Sequence, residues 1–162
     1  MNYHKVVKEI IDILTDNHYW FETFEHEPVA TSEEAAKVRD GYSLAQGAKA
    51  IIVRAKMAGG EKRFIMLVLP GDCRFDNDKV KNATGAKDIR FATKEEINTI
   101  TDGVQIGGVP PFGNLFNLSV FADQKVFDQE KIIFNAGDQR FSIAMYSKDF
   151  QNIVNPQIVS IV

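Results

Sequence analysis

Apolar residues fall at helical spacing first in the opening stretch, where Val6, Ile10, Ile13 and Leu14 share one face among Lys5, Lys8, Glu9 and Asp12. That pattern predicts an amphipathic helix over residues 2–17, with Asn2 as its cap. The period then shortens. Tyr19 to Phe24 is aromatic and alternating, as a strand requires. Thr31 and Glu34 have capping-box spacing and open a short helix reaching about Arg39. Two β-rich runs, Lys49–Met57 and Glu61–Leu69, flank Gly59-Gly60 and predict a hairpin.

Asp76 is placed to cap a helix that ends at Gly85, and Ile89–Phe91 follows as a short strand. Thr93 and Glu96 form a second capping box, with a helix to about Thr101. Residues 103–117 hold the adjacent Pro110 and Pro111 among several glycines and predict a loop. Strands are expected near 119–122, 131–135 and 141–146, then a helix from Ser147 to about Val154 and a final strand from Ile158 to Val162. The strands come mostly as hairpins, without a regular βαβ order. The expected class is therefore α+β: a mixed, largely antiparallel β-sheet core flanked by short helices. No repeat, low-complexity tract or linker divides the chain, so one domain over residues 1–162 is expected.

Composition narrows the function classes. The 162 residues are 44% hydrophobic and 25% charged, ordinary values for a globular chain. Cys73 is the only cysteine, so neither an intrachain disulfide nor a cysteine-based zinc site can form. The longest apolar run, Phe64–Leu69, is far short of the ~20 residues of a membrane span. A cytoplasmic protein without a membrane segment is the expectation. The net charge of −3 is uneven: residues 1–40 carry four basic and nine acidic side chains, whereas residues 41–120 carry eleven and eight. A domain that grips a long stretch of nucleic acid is usually basic throughout. Any contact with RNA here would be local, through residues such as Lys49, Arg54, Lys56, Lys62 and Arg63.

The chain has no phosphate-binding loop, nucleophile elbow, dinucleotide fingerprint or HExxH motif. Its histidines, at 4, 18 and 26, do not form a ligand set by spacing. Asp76-Asn77-Asp78 fits a helix cap better than a calcium loop, and Cys73 reads as an inert thiol. Four segments carry possible chemistry, each with a bland alternative. Lys49, at the mouth of an apolar strand, either points its ammonium into a cleft or is solvated. Gly107-Gly108-Val109-Pro110-Pro111-Phe112-Gly113 either offers backbone donors to a developing oxyanion or is a structural turn. Asn135-Ala136-Gly137 marks a hairpin, and His26, before Pro28, is a structural or a pocket histidine.

In order along the chain, these segments resemble the YbaK/EbsC family of aminoacyl-tRNA deacylases, which includes the editing domain of some prolyl-tRNA synthetases. The matching residues are Phe24-Glu25-His26-Glu27-Pro28, Thr31 through Ala36, Gly47-Ala48-Lys49-Ala50 and Leu67 through Asp72. Gly85-Ala86-Lys87 with Arg90-Phe91-Ala92, Gly107 through Gly113 and Asn135-Ala136-Gly137 complete the set. The chain departs from many single-domain members at Gln139-Arg140, where they carry an Arg-Gly pair, and at Ser142, where some have an acid.

The resemblance implies hydrolysis of the ester of mischarged tRNA without metal, cofactor or covalent nucleophile, water attacking with help from the terminal ribose hydroxyl. It assigns Lys49, Gly107, Gly108 and Pro111 to the catalytic set. Phe24, His26, Thr31, Val109, Pro110, Phe112, Gly113, Asn135, Gly137 and Ser142 would contact substrate. The implied partner is the acceptor end of aminoacyl-tRNA, with a synthetase as a further candidate. The alternative function is a non-catalytic module with the same fold that binds aminoacyl-tRNA or a synthetase. Editing is needed because one methylene discriminates by only ~1–3 kcal/mol.

Overall fold

The computed structural model describes residues 2–162. The first helix, α1, spans Lys5–Asp16 and starts later than expected because His4 caps it, its Nδ1 accepting from the Val6 amide at 3.1 Å. Strand β1 is Phe21–Glu25, and α2 is Ser32–Val38, opened by both bonds of the Thr31–Glu34 capping box. Strands β2, Ala48–Met57, and β3, Lys62–Pro70, form the expected antiparallel hairpin. Helix α3, Asn77–Thr84, is capped by Asp76 and stops at Gly85; β4 is Ala86–Phe91. The second capping box opens α4, Lys94–Thr101.

The loop that follows is tighter than its glycines and prolines imply, since 3₁₀ turns occupy Ile106–Gly108 and Gly113–Phe116. Strands β5, Ser119–Asp123, β6, Lys131–Asp138, and β7, Phe141–Tyr146, precede α5, Ser147–Val154. The last strand, β8, is only Gln157–Val159. It ends early because the Ile161 and Val162 amides turn aside to donate to Asp123 Oδ2, at 2.8 and 3.1 Å.

These strands form two sheets. One has the order β4-β2-β3-β5-β8, antiparallel through β3 and parallel beyond it; the other is antiparallel with order β1-β7-β6. The fold is thus α+β, mixed and largely antiparallel. Alternation along β3 sorts the core. Met66 and Val68 face a cluster shared with Val6, Ile10 and Leu14 of α1, Ile132 and Phe134 of β6, and Phe150 of α5. Ile65, Leu67 and Leu69 face the opposite cluster with Val80 and Ile161. Each fully buried side chain of this size contributes roughly 1.5–3 kcal/mol. A parallel bridge between Gly47 and Ile133 links the two sheets, and a cleft opens beside it. Among the described residues, no helix is long and apolar enough to cross a membrane.

Candidate active site

A cleft of about 200 Å³ lies between the start of β2, the face of α2, the end of β6 and the loop after α4. Lys49 and Gly107 both line it, together with Val109, Thr31, Asn135, Ile106 and Arg39. The ammonium of Lys49 makes no ion pair among the described residues. Burial pulls its pKa below the ordinary lysine value, an effect that Glu33, Cys73 and Asp72 partly offset and Arg74 reinforces. A half-buried ammonium beside open space can place positive charge where an acyl oxygen turns negative.

Behind this surface lies a polar network. Arg39 follows directly on α2, and one helical turn after Ala35 it reaches the same cleft. It is only 7% exposed. Its Nε donates to Ser142 Oγ at 2.9 Å and its Nη2 to Asn135 Oδ1 at 3.0 Å. The Asn135 amide nitrogen donates to the carbonyls of Gly107 and Val29, at 2.7 and 3.2 Å. One side chain thereby ties together the two loops that border the cleft. His26 Nδ1 donates to the Glu27 carbonyl at 2.8 Å, which leaves Nε2 to accept from the Ser142 hydroxyl at 2.8 Å. Asn135 Oδ1, 3.1 Å from Ser142 Oγ, is a second acceptor for the same hydrogen.

Glycine is required at two points of this frame. A Cβ on Gly107 would stand 2.7 Å from Ala30 Cα, so the two loops meet backbone to backbone. Gly137 has φ +114° in the bulge of β6 and presses on Val6 of α1, leaving no room for a side chain.

Other residues marked out by the sequence lie away from the cleft. The Gly108 amide is occupied, donating to the Gln105 carbonyl at 2.9 Å, and its Cα side faces the Asp138 backbone. Pro110 and Pro111 are buried behind the loop. Phe112 is a core residue at 0% exposure, its ring 5.5 Å from that of Phe134 and 5.8 Å from that of Phe150. Gly113 packs on Val120, and Phe24 meets Tyr42 edge-on. His26 and Ser142 reach the cleft only through Arg39 and Asn135. Arg39 itself carries no distinctive motif; its one sequence signal is the i, i+4 spacing from Ala35 on a helix whose capping box is plain. Among the described residues, no three His, Cys, Asp or Glu side chains are arranged to hold a metal ion.

The family model of the aminoacyl-tRNA editing domain matches residues 26–153. The chain belongs to this aminoacyl-tRNA editing family. The match runs from His26 to Ile153 and so takes in every element around the cleft. This editing domain is 28% identical over 154 residues to the Escherichia coli (strain K12) multifunctional Ser/Thr-tRNA deacylase ProXp-y, covering 94% of the present chain and 90% of that relative. It is 29% identical over 116 residues to the proline–tRNA ligase of Ralstonia nicotianae, covering 72% of the chain but 20% of the ligase. In the solved structure of a candidate trans-editing enzyme for prolyl tRNA synthetase, the same fold recurs with a TM-score of 0.80 at 22% identity, over 99% of this chain and 98% of that one.

Proposed function

We propose that this editing domain is a hydrolase that acts in trans on mischarged tRNA, cleaving the ester between the amino acid and the terminal ribose. The observation that carries the reading is the shared cleft of Lys49 and Gly107, on a chain whose family is the aminoacyl-tRNA editing domain. The deacylase named among its relatives matches along 94% of this chain and 90% of its own length, which supports a deacylase reading for this domain.

The chemistry needs little beyond placement and charge. Water adds to the acyl carbonyl, and the electron pair of the C=O bond moves onto oxygen. The tetrahedral intermediate then collapses, expelling the ribose oxygen, which takes up the proton given up by the attacking water as the amino acid leaves. Lys49 stabilises the oxygen while it is negative, and the loop at Gly107 and Val109 holds the acyl group against it. The cleft of about 200 Å³ has room for the aminoacyl group, which would enter ahead of the rest of the acceptor end. A synthetase that supplies the mischarged tRNA is the further partner we propose.

A panel of mischarged tRNAs incubated with the natural protein and with Lys49→Ala tests this. Release of at least one amino acid should be faster with the natural protein. Rates no faster than without protein on every tRNA would reject the hydrolase and leave a binding module; equal, accelerated rates would reject the role of Lys49.

A further inference from the structure

The charges around the cleft do not balance. Its lining has two ionised side chains, Lys49 and Arg39, both cationic, and no acid. Arg39 is the more telling, because it is 7% exposed and makes no ion pair among the described residues. Its protein partners are a hydroxyl and an amide oxygen, both neutral. Its Nη1 has no hydrogen-bond partner among the described residues and stands 3.8 Å from where a Cβ on Gly47 would lie. Buried charges are ordinarily paired, since removing an ion from water costs several kcal/mol. Burial pulls the Arg39 pKa down to about 10, yet a guanidinium remains charged at neutral pH. The missing counter-ion is therefore to be sought in the ligand.

Depth identifies which part of the ligand. Resting on the reading above, the acyl group is the very end of the acceptor strand, so it enters first and lies deepest. The cleft volume, below the roughly 300–1,000 Å³ of pockets for drug-sized ligands, has room for an amino acid. We propose that Arg39 is a specificity-determining residue whose free Nη1 receives the side-chain carboxylate of an aspartyl or glutamyl ester. Ser142 and Asn135 hold the guanidinium plane from behind, and Gly47 leaves the space in front of it. The carboxylate also offsets the repulsion that two cations would exert on the substrate's own amino group.

Deacylation kinetics on tRNAs charged with aspartate, asparagine, glutamate and glutamine, plus alanine as a small neutral reference, test the assignment. Each acid differs from its amide by charge at nearly constant shape. The natural protein should favour the acids by about tenfold or more in kcat/KM, the effect of one hydrogen bond to a charged group. Arg39→Met should erase that preference chiefly through KM, and Arg39→Lys should restore part of it. A uniform fall in kcat across all five esters in Arg39→Met would assign the guanidinium to the reacting carbonyl and overturn the side-chain role.

Should Arg39→Met fail to fold, the natural protein alone decides by calorimetry with 3′-aspartylamido- and 3′-asparaginylamido-adenosine, which resist hydrolysis. Tighter, salt-sensitive binding of the aspartyl analogue supports the subsite; equal or weaker binding overturns it. Selective binding without cleavage of any ester would defeat the hydrolase reading and keep the subsite. Cleavage without preference for acids would do the reverse.

Discussion

The two cations of the cleft differ in how their charge is supported. Lys49 stands at the start of a strand, half-buried, with its ammonium free of ion pairs among the described residues. Arg39 stands at the end of a short helix, almost wholly buried, with two of its nitrogens committed to Ser142 and Asn135. Removing the first should alter chemistry and spare the fold. Removing a partner of the second should do the opposite, because the wall of the cleft is built around it. On the roles proposed above, the charge assigned to turnover is left loose, and the charge assigned to recognition is fixed by its surroundings.

Four substitutions break or sharpen that contrast. Lys49→Ala should lower kcat for deacylation about 10²–10³-fold, the usual loss when one stabilising donor is removed, with an unchanged circular dichroism spectrum. Ser142→Ala strips Arg39 Nε and His26 of a buried partner and should cost about 2–3 kcal/mol in urea unfolding. Gly107→Ala forces a Cβ against the Ala30 backbone; the expected cost is about 1–2 kcal/mol, with slower turnover measured on the same protein.

The smallest effect concerns pH. The folded-state pKa of Lys49 is depressed by burial, so the folded protein binds this proton less readily than the unfolded chain. Stability then rises with pH between the depressed value and the ordinary 10.5. Lys49→Met removes the penalty and should be more stable than the natural protein near neutrality. The gain should shrink as pH climbs through that window, as thermal unfolding at several pH values will report.

Much of the fold was legible because local signals and periodicity agreed. The capping boxes at Thr31 and Thr93, the Gly-Gly turn and the Asp76 cap all stand as read. The division into two sheets was not legible, since one bridge at Gly47 and Ile133 joins strands distant in sequence. Nor was the role of the Gly107–Gly113 segment uniform along its length. Its first residues border the cleft while Phe112 fills the core, and both uses call for the same small and rigid residue types. Lys49 was visible as a cation opening an apolar strand. Arg39 was hidden because a basic residue closing a helix is ordinarily solvated, and only the return of β6 and β7 covers it.

A single amide group, that of Asn135, holds the carbonyls of Val29 and Gly107 with its two hydrogens. The segments carrying those carbonyls cannot drift apart without breaking that clasp. The mouth they border should therefore breathe with one amplitude, so hydrogen exchange at Ala30 and at Val109 should slow or quicken in step.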